Sequence, residues 1–324
     1  MNSDRYLLII NPISGTGNKQ GLADMVTRRL TGLGFRVDTA YTTGHGDATR
    51  LTTEAAANGY RAVIAAGGDG TVNEIATALC GTSTALGIIP VGSGNGLARH
   101  LGLPLDIAES IEVIAKDNII DCDYGTANGQ PFFCTFGVGF DAAVSEKFAH
   151  QKRRGKLSYI KSAISEYVSY NPQTYTISAN GQILTQKAFI VACCNASQYG
   201  NNAYIAPTAS ITDGLLDITI VHAGTPLDTA MVGVDLFTGY INRNTMIHTF
   251  RTSSAVIYRS GSGPAHLDGE PVTMDDVMTV KCHHSALRIF TPGESRFRPI
   301  ITPVTSSWRN LRSAIVRIFR GNPT

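Results

Sequence analysis

Three glycine-rich segments and a few acids hold the chemistry that this 324-residue sequence offers. The segments are Asn11-Pro12-Ile13-Ser14-Gly15-Thr16-Gly17, Gly67-Gly68-Asp69-Gly70-Thr71 and Gly92-Ser93-Gly94-Asn95-Gly96. Each follows a short apolar run. Glycine lets backbone N–H groups approach an anion closely, and a helix beginning after the turn aims its positive end at that anion. Ser14, Thr71 and Ser93 add hydroxyl donors. One such turn alone reads as a tight strand-to-helix connection. Three at one sheet edge, each with Ser or Thr, read as a polyphosphate site. None is a Walker A loop, and none fits G-x-G-x-x-G, because the last glycine of the third turn comes one residue early. Asp69 puts a carboxylate beside the phosphate site. That is repulsive unless a cation lies between them, and Mg²⁺ acting through water fits. Its plainer role is to cap a helix predicted from Val72, with Asn73 and Glu74 joining the same network.

A second acidic pair sits late in the chain, in Ala265-His266-Leu267-Asp268-Gly269-Glu270-Pro271. By pattern alone Asp-Gly between strands is a hairpin turn. Such a turn can also set two carboxylates at a cleft mouth, where phosphorylation of a hydroxyl needs a proton acceptor.

These residues need elements to hold them. Apolar runs at 7–10, 36–41, 61–66 and 85–90 alternate with helical patterns at 21–30, 48–58, 72–79 and 107–115, with Asp47 placed to cap the second helix. Repeated βα units imply a mostly parallel sheet with helices on both faces, and all three glycine turns then emerge at its carboxyl edge. After Asp121 short β-rich runs dominate, at 132–136, 174–179, 189–194, 216–221, 255–258, 277–282 and 286–290. Helices are expected near 142–170 and 226–241, and hairpin signals appear at Asn128-Gly129 and Asn180-Gly181. The predicted domains are 1–123, 124–292 and a basic tail over 293–324, with a hinge and a cleft near residue 123.

The stretch Gly67-Gly68-Asp69-Gly70-Thr71-Val72-Asn73-Glu74 resembles the nucleotide motif of the diacylglycerol kinase catalytic-domain family, bacterial soluble lipid kinases related to sphingosine kinases. Asn11-Pro12-x-Ser14-Gly15, Gly46-Asp47-Ala48, Gly92-Ser93-Gly94-Asn95, Asp213-Gly214-Leu215-Leu216-Asp217 and Asp268-Gly269-Glu270 follow the family's order across residues 11 to 270. The family commonly has Thr at the position of Ser93, and the hydroxyl is kept. The resemblance implies an α/β N-terminal domain with a parallel sheet, NAD-kinase-like and phosphofructokinase-like, followed by a β-rich antiparallel sandwich, with ATP between them and the end of the chain returning to the first domain. It implies ATP contacts at Asn11, Pro12, Ser14, Gly15, Thr42, Gly68, Asp69, Gly70, Thr71, Asn73, Glu74 and Ser93. It places the catalytic base at Asp268, with Glu270 orienting it or sharing a metal. Were Asp69 the base, Asp268 would bind substrate. A structural Mg²⁺ is implied at the backbone carbonyls of Ser210, Asp213 and Leu215, where the residues alone read as an ordinary loop.

Composition bounds the rest. The chain is 43% hydrophobic and 16% charged, without the roughly 18 consecutive apolar residues of a spanning helix. Its start lacks a signal-peptide pattern, which predicts a cytoplasmic protein. The cysteines at 80, 122, 134, 193, 194 and 282 form no C-x-x-C pair and read as reduced structural thiols, without a zinc site. The net charge of +2 hides six arginines and no acid in residues 295–324, so the basic character is local and does not support nucleic-acid binding. A helix over 307–320 would carry Trp308 and Phe319 opposite Arg309, Arg312 and Arg320. It suits either an anionic membrane surface or the protein's own core. Lys152-Arg153-Arg154-Gly155-Lys156 reads as a solvated loop that could meet acidic headgroups. His222, His266, His283 and His284 read as surface or core residues, not ligands. The expectation is an ATP- and Mg²⁺-dependent lipid kinase at the inner face of the membrane, with diacylglycerol as first substrate and a homodimer left open. Alternatives are a sphingoid-base or ceramide kinase, an NAD kinase, and a non-catalytic surface sensor of nucleotide or lipid.

Overall fold

The structure, a computed structural model, describes residues 4–15, 21–149, 170–241 and 244–293. The basic loop at 152–156 and the tail from 294 onward lie outside the described residues. The N-terminal half is a parallel sheet in the order β2 (Arg36–Tyr41), β1 (Arg5–Ile10), β3 (Ala62–Gly67), β4 (Ala85–Pro90). Side chains alternate across a strand, so each strand feeds two cores. Leu7 and Ile9 join Val63, Ala65, Leu86 and Ile88 beneath α2 (Asp47–Ala57) and α3 (Asp69–Leu79). Tyr6, Leu8 and Ile10 face the other way, with Ile64 and Ile89, against α1 (Leu22–Thr31) and α5 (Ile107–Ala115). A short α4 (Gly96–His100) follows the third glycine turn.

The C-terminal half is antiparallel. β7 (Thr135–Gly139) pairs with β9 (Gln182–Cys194), which also pairs with β8 (Gln173–Ala179) and β10 (Leu216–His222). β8 continues to β12 (Ser254–Tyr258), β10 to β11 (Ile247–Thr252), and β7 to the hairpin of β13 (Gly263–Leu267) and β14 (Glu270–Met274). Phe132, Phe136, Tyr175, Ile218, Ile257 and Met278 fill the space between. Among the described residues two helices attach here, α6 (Phe140–Ala149) and α7 (Pro226–Thr238). Asn128 and Asn180 adopt left-handed φ at the expected hairpins, the first joining β5 (Ile119–Ala127) to β6 (Gln130–Phe132).

Asp123 lies inside β5, not in a linker. β5 pairs antiparallel with β15 (Val277–Phe290) from Ala127↔Val280 to Ile119↔Phe290, and β15 pairs parallel with β4 at Ile289↔Leu86. Met278 and Val280 pack in the sandwich core, whereas Leu287, Ile289 and Phe290 pack in the N-terminal cores. The last described strand therefore returns to the first half. The ladder bends at a register shift between His283 and Leu287, where Ser285 has φ 51°. Among the described residues no helix is long and apolar enough to cross a membrane.

Candidate active site

The parallel register brings the three glycine turns together. Gly15 has φ 64°, and a Cβ there would lie 1.8 Å from the Val91 carbonyl oxygen. A Cβ on Gly92 would lie 2.5 Å from Gly68 Cα. Only hydrogen side chains let these backbones stack, so the glycines are required by contact as well as by φ. The Asn11 Nδ2 donates to Thr71 Oγ1 at 3.0 Å, and its Oδ1 accepts from the Ile13 N–H at 3.1 Å, tying the first turn to α3. Ser14 Oγ donates to the Asn11 carbonyl. Pro12 and Ser93 are exposed, and Thr42, at the end of β2 beside the first turn, is buried. Gly68 at the N-cap of α3 supplies no side-chain cap, and among the described residues none is seen at this N-terminus.

Two predicted roles change. Helix α3 begins at Asp69, not Val72, and the Asp69 carboxylate reaches across to the third turn. Its oxygens accept from the Asn95 N–H at 2.8 Å and the Gly96 N–H at 2.7 Å, so it caps α4. Asp47 is the first residue of α2, behind a left-handed Gly46, and its carboxylate turns back to Thr43 N, Thr43 Oγ1 and Gly44 N. These bonds hold it below the usual carboxylate range, the Thr43 hydroxyl contributing most. Glu74 does the capping instead, accepting from the Gly46 N–H at 3.1 Å and pairing with His45 at 3.0 Å. The acids of the second motif thus set the neighbouring loops in place.

Asp268 enters from the other half, in the β13–β14 turn with φ 52°. Its carboxylate accepts four N–H bonds. Oδ1 takes Cys134 N at 2.7 Å and Thr135 N at 2.9 Å, while Oδ2 takes Phe133 N at 2.8 Å and Asn73 Nδ2 at 2.7 Å. The Asn73 bond joins helix α3 directly to the turn of the late acid pair. Burial pushes the Asp268 carboxyl above the ordinary range, and the three backbone N–H bonds pull against it. Cys134 lies between the two acids. Burial, then the Asp268 charge, then that of Asp69 drive its thiol well above the usual value. The Glu270 side chain is exposed and makes no hydrogen bond among the described residues, and its Oε1 lies 4.0 Å from where a Gly70 Cβ would be. Asp268 and Glu270 of the β13–β14 turn thus lie against Asn73 and Gly70 in the first turns of α3, which Asp69 begins.

The Asp213 loop sits apart from these. Asp213 Oδ1 accepts from the Leu215 N–H at 3.1 Å and its Oδ2 lies 3.6 Å from Arg251 Nη1; Ser210 Oγ meets Thr212 Oγ1 at 3.4 Å. The carbonyls of Ser210, Asp213 and Leu215 accept no hydrogen bond among the described residues, and carbonyl oxygens suit a hard cation. The residue that anchors this loop, Asp123, left no motif to read. It is fully buried and accepts from Gly214 N, Ser285 N and His284 Nδ1. His284 is thus tied to Asp123, and His283 stacks on Tyr124 at 4.7 Å. His266 is the other residue the sequence undervalues; it is buried beside Asp141.

Comparison with known proteins accounts for both halves of the fold. Residues 5–127 match the diacylglycerol kinase catalytic domain, and residues 134–291 match the YegS C-terminal NAD kinase beta sandwich-like domain. A probable lipid kinase YegS of Escherichia fergusonii is 30% identical over 66% of this chain and 73% of its own length. The diacylglycerol kinase of Bacillus subtilis is 28% identical over 82% of this chain and 89% of its own. A diacylglycerol kinase structure from Bacillus anthracis superposes with a TM-score of 0.70, covering 90% of this chain and 98% of that one at 23% identity. An NAD kinase from Archaeoglobus fulgidus, solved with ATP, shares the fold, with a TM-score of 0.53 at 12% identity over 91% and 96% of the two chains. The chain belongs to the diacylglycerol kinase catalytic-domain family of lipid kinases, which are phosphotransferases.

Proposed function

We propose that the protein transfers the γ-phosphoryl group of ATP to the hydroxyl of a membrane lipid, with diacylglycerol as the first candidate acceptor. The observation that carries this reading is the Asn73–Asp268 bond, which brings a desolvated carboxylate of the β-rich half to the phosphate-facing helix. The three glycine turns would cradle the phosphates, with the α3 N-terminus and the exposed Ser93 hydroxyl directed at them. Asp268 would take the hydroxyl proton as its oxygen attacks phosphorus, and its raised affinity for a proton suits that task. The donor set also fits Mg²⁺, since the exposed Glu270 carboxylate, without a partner among the described residues, lies near Gly70, and Asp69 lies beside the turn. Bound there, Mg²⁺ would neutralise charge on the transferring phosphoryl group. A second cation at the carbonyls of Ser210, Asp213 and Leu215 would brace the loop that Asp123 anchors.

A lipid acceptor implies work at a membrane surface, and we place the protein at the cytoplasmic face. The NAD kinase alternative rests on the shared fold alone, because its likeness is only 12% identical. The test is transfer of labelled γ-phosphate, with Mg²⁺, to a mixed-micelle panel of diacylglycerol, ceramide, sphingoid base and other glycerolipids, with NAD as a separate acceptor. Wild type runs beside Asp268→Ala. Labelled phosphatidic acid, lost in the variant, is the expected result. Label on NAD alone would overturn the reading, and label on a sphingolipid would move the substrate.

A further inference from the structure

Behind the Asp268 turn lies a buried polar chain that the phosphoryl-transfer reading leaves unused. His266 is 1% exposed and Asp141 5%. His266 Nε2 lies 3.0 Å from Asp141 Oδ2, and the same oxygen accepts from Tyr199 Oη at 2.8 Å. The other carboxylate oxygen accepts from the Ala142 N–H at 2.9 Å, in the first turn of α6. On the far side of the ring, the Gly269 N–H donates to His266 Nδ1 at 3.3 Å. That bond fixes the tautomer. A backbone N–H can only donate, so Nδ1 must accept, the proton sits on Nε2, and Nε2–H donates to Asp141.

One end of this polar cluster meets the Asp268 turn and the other the third glycine turn. Gly269 directly follows Asp268, and the two hold consecutive left-handed φ values of 52° and 86°. Asp268 is not glycine, so its conformation is costly unless neighbours enforce it. At the opposite end, Tyr199 begins the segment that packs on the third glycine turn. Gly200 lies against Gly94, the Asn201 N–H donates to the Gly94 carbonyl at 3.4 Å, and the Tyr199 carbonyl oxygen lies 3.4 Å from where a Gly96 Cβ would be. Room is reserved for the cluster, since a Cβ on Gly137 would meet Asp141 Oδ2 and His266 Nε2, each at 2.3 Å.

We propose that Asp141, His266 and Tyr199 form a positioning network that couples the third phosphate-facing turn to the turn carrying Asp268, holding the proton acceptor in register with the phosphate loops. The inference rests on the lipid-kinase reading for its purpose, though not for its geometry. Asp141 works by fixing the imidazole tautomer. An amide at 141 would turn its NH₂ toward Nε2 and favour the opposite tautomer, and Nδ1–H would then face the Gly269 N–H. Asn at 266 behaves differently. Its carboxamide oxygen can occupy the place of Nδ1 and keep the Gly269 bond without needing Asp141.

The test is a double-mutant cycle on the full chain, measuring lipid phosphorylation together with amide hydrogen exchange at Gly269. His266→Leu and Asp141→Asn should each lower kcat about 10- to 100-fold, the range for residues that orient a reacting group. The KM for ATP should stay within about threefold, and Gly269 exchange should quicken. His266→Asn should recover most of kcat and of the exchange protection, and adding Asp141→Asn to it should cost nothing further. Tyr199→Phe should slow transfer less than Asp141→Asn does. Additive losses, or a His266→Asn variant as poor as His266→Leu, would overturn the network. The exchange arm needs no lipid. If wild type phosphorylates no lipid, the cycle in Gly269 protection still decides for or against the network.

Discussion

Replacing Asp268 by Asn should both inactivate the enzyme and weaken the fold, and the hydrogen bonds say by how much. The carboxylate accepts four N–H bonds, two per oxygen. A carboxamide keeps one accepting oxygen. In its better orientation that oxygen stays with Cys134 and Thr135, and the NH₂ faces Phe133 N and Asn73. Asn73 can flip its amide and accept, whereas the Phe133 N–H cannot and is left buried without a partner. An orphaned donor costs about 1–3 kcal/mol, and bonds to a charged acceptor exceed neutral ones by about 1 kcal/mol each. Relief of the burial penalty that raises the Asp268 pKa offsets the weakened charged bonds, so the net loss is that of the orphaned donor, about 1–3 kcal/mol, read as a lowered urea midpoint at constant m-value. Loss of the proton acceptor should reduce kcat about 10²- to 10⁴-fold. The swap Asn73→Asp with Asp268→Asn reverses the bond between them and should recover about 1–2 kcal/mol without activity. An Asp268→Asn protein of wild-type stability would refute the four-donor account. A swap no better than Asp268→Asn alone would refute the Asn73 bond.

Further outcomes follow from other residues. His100 is buried and accepts from the Ser197 N–H, and burial lowers its pKa from 6.5 to about 4. The unfolded chain therefore takes a proton that the fold refuses, so stability is full above pH 6.5 and falls as the pH drops toward 4. The loss reaches roughly 3 kcal/mol at about 1.36 kcal/mol per pKa unit. Urea titrations across that window should show the slope, and His100→Gln should flatten it. Gly15→Ala sets a methyl against the Val91 carbonyl in a left-handed conformation that costs about 1–2 kcal/mol. The first turn must move, and ATP affinity measured by calorimetry should fall at least about tenfold. Ser93→Ala removes an exposed hydroxyl that has no partner among the described residues, so thermal stability should not change. The Kd for ATP should rise about fivefold, close to 1 kcal/mol. Unchanged affinity would remove Ser93 from the nucleotide site.

The strand and helix plan of the first half was legible in the sequence because its periodicities are local. The continuous apolar runs of β1 and β3 and the stripes of α1 and α3 each lie within one element. The glycine turns were legible for a related reason: a turn forced to left-handed φ or backbone contact tolerates little else, and a parallel sheet puts its turns at one edge. The Asp-Gly-Glu turn was visible as a turn, while the role proposed for its carboxylate came from the family resemblance. What the sequence could not show is where a side chain points once distant segments meet. Asp69 and Asp47 look like caps for the helices they precede, yet Asp69 caps α4, 26 residues on, and Asp47 turns backward while Glu74 caps α2. Asp123, Asp141 and His266 belong to no motif, and each gains its partners from distant segments: β15 and the Gly214 loop for Asp123, the β13–β14 hairpin and Tyr199 for Asp141. Sequence fixes periodicity and backbone permission, which act within a few residues. The aim of a buried acid depends on donors tens or hundreds of residues away, as with Asn73 and Asp268, and only the tertiary structure brings those together.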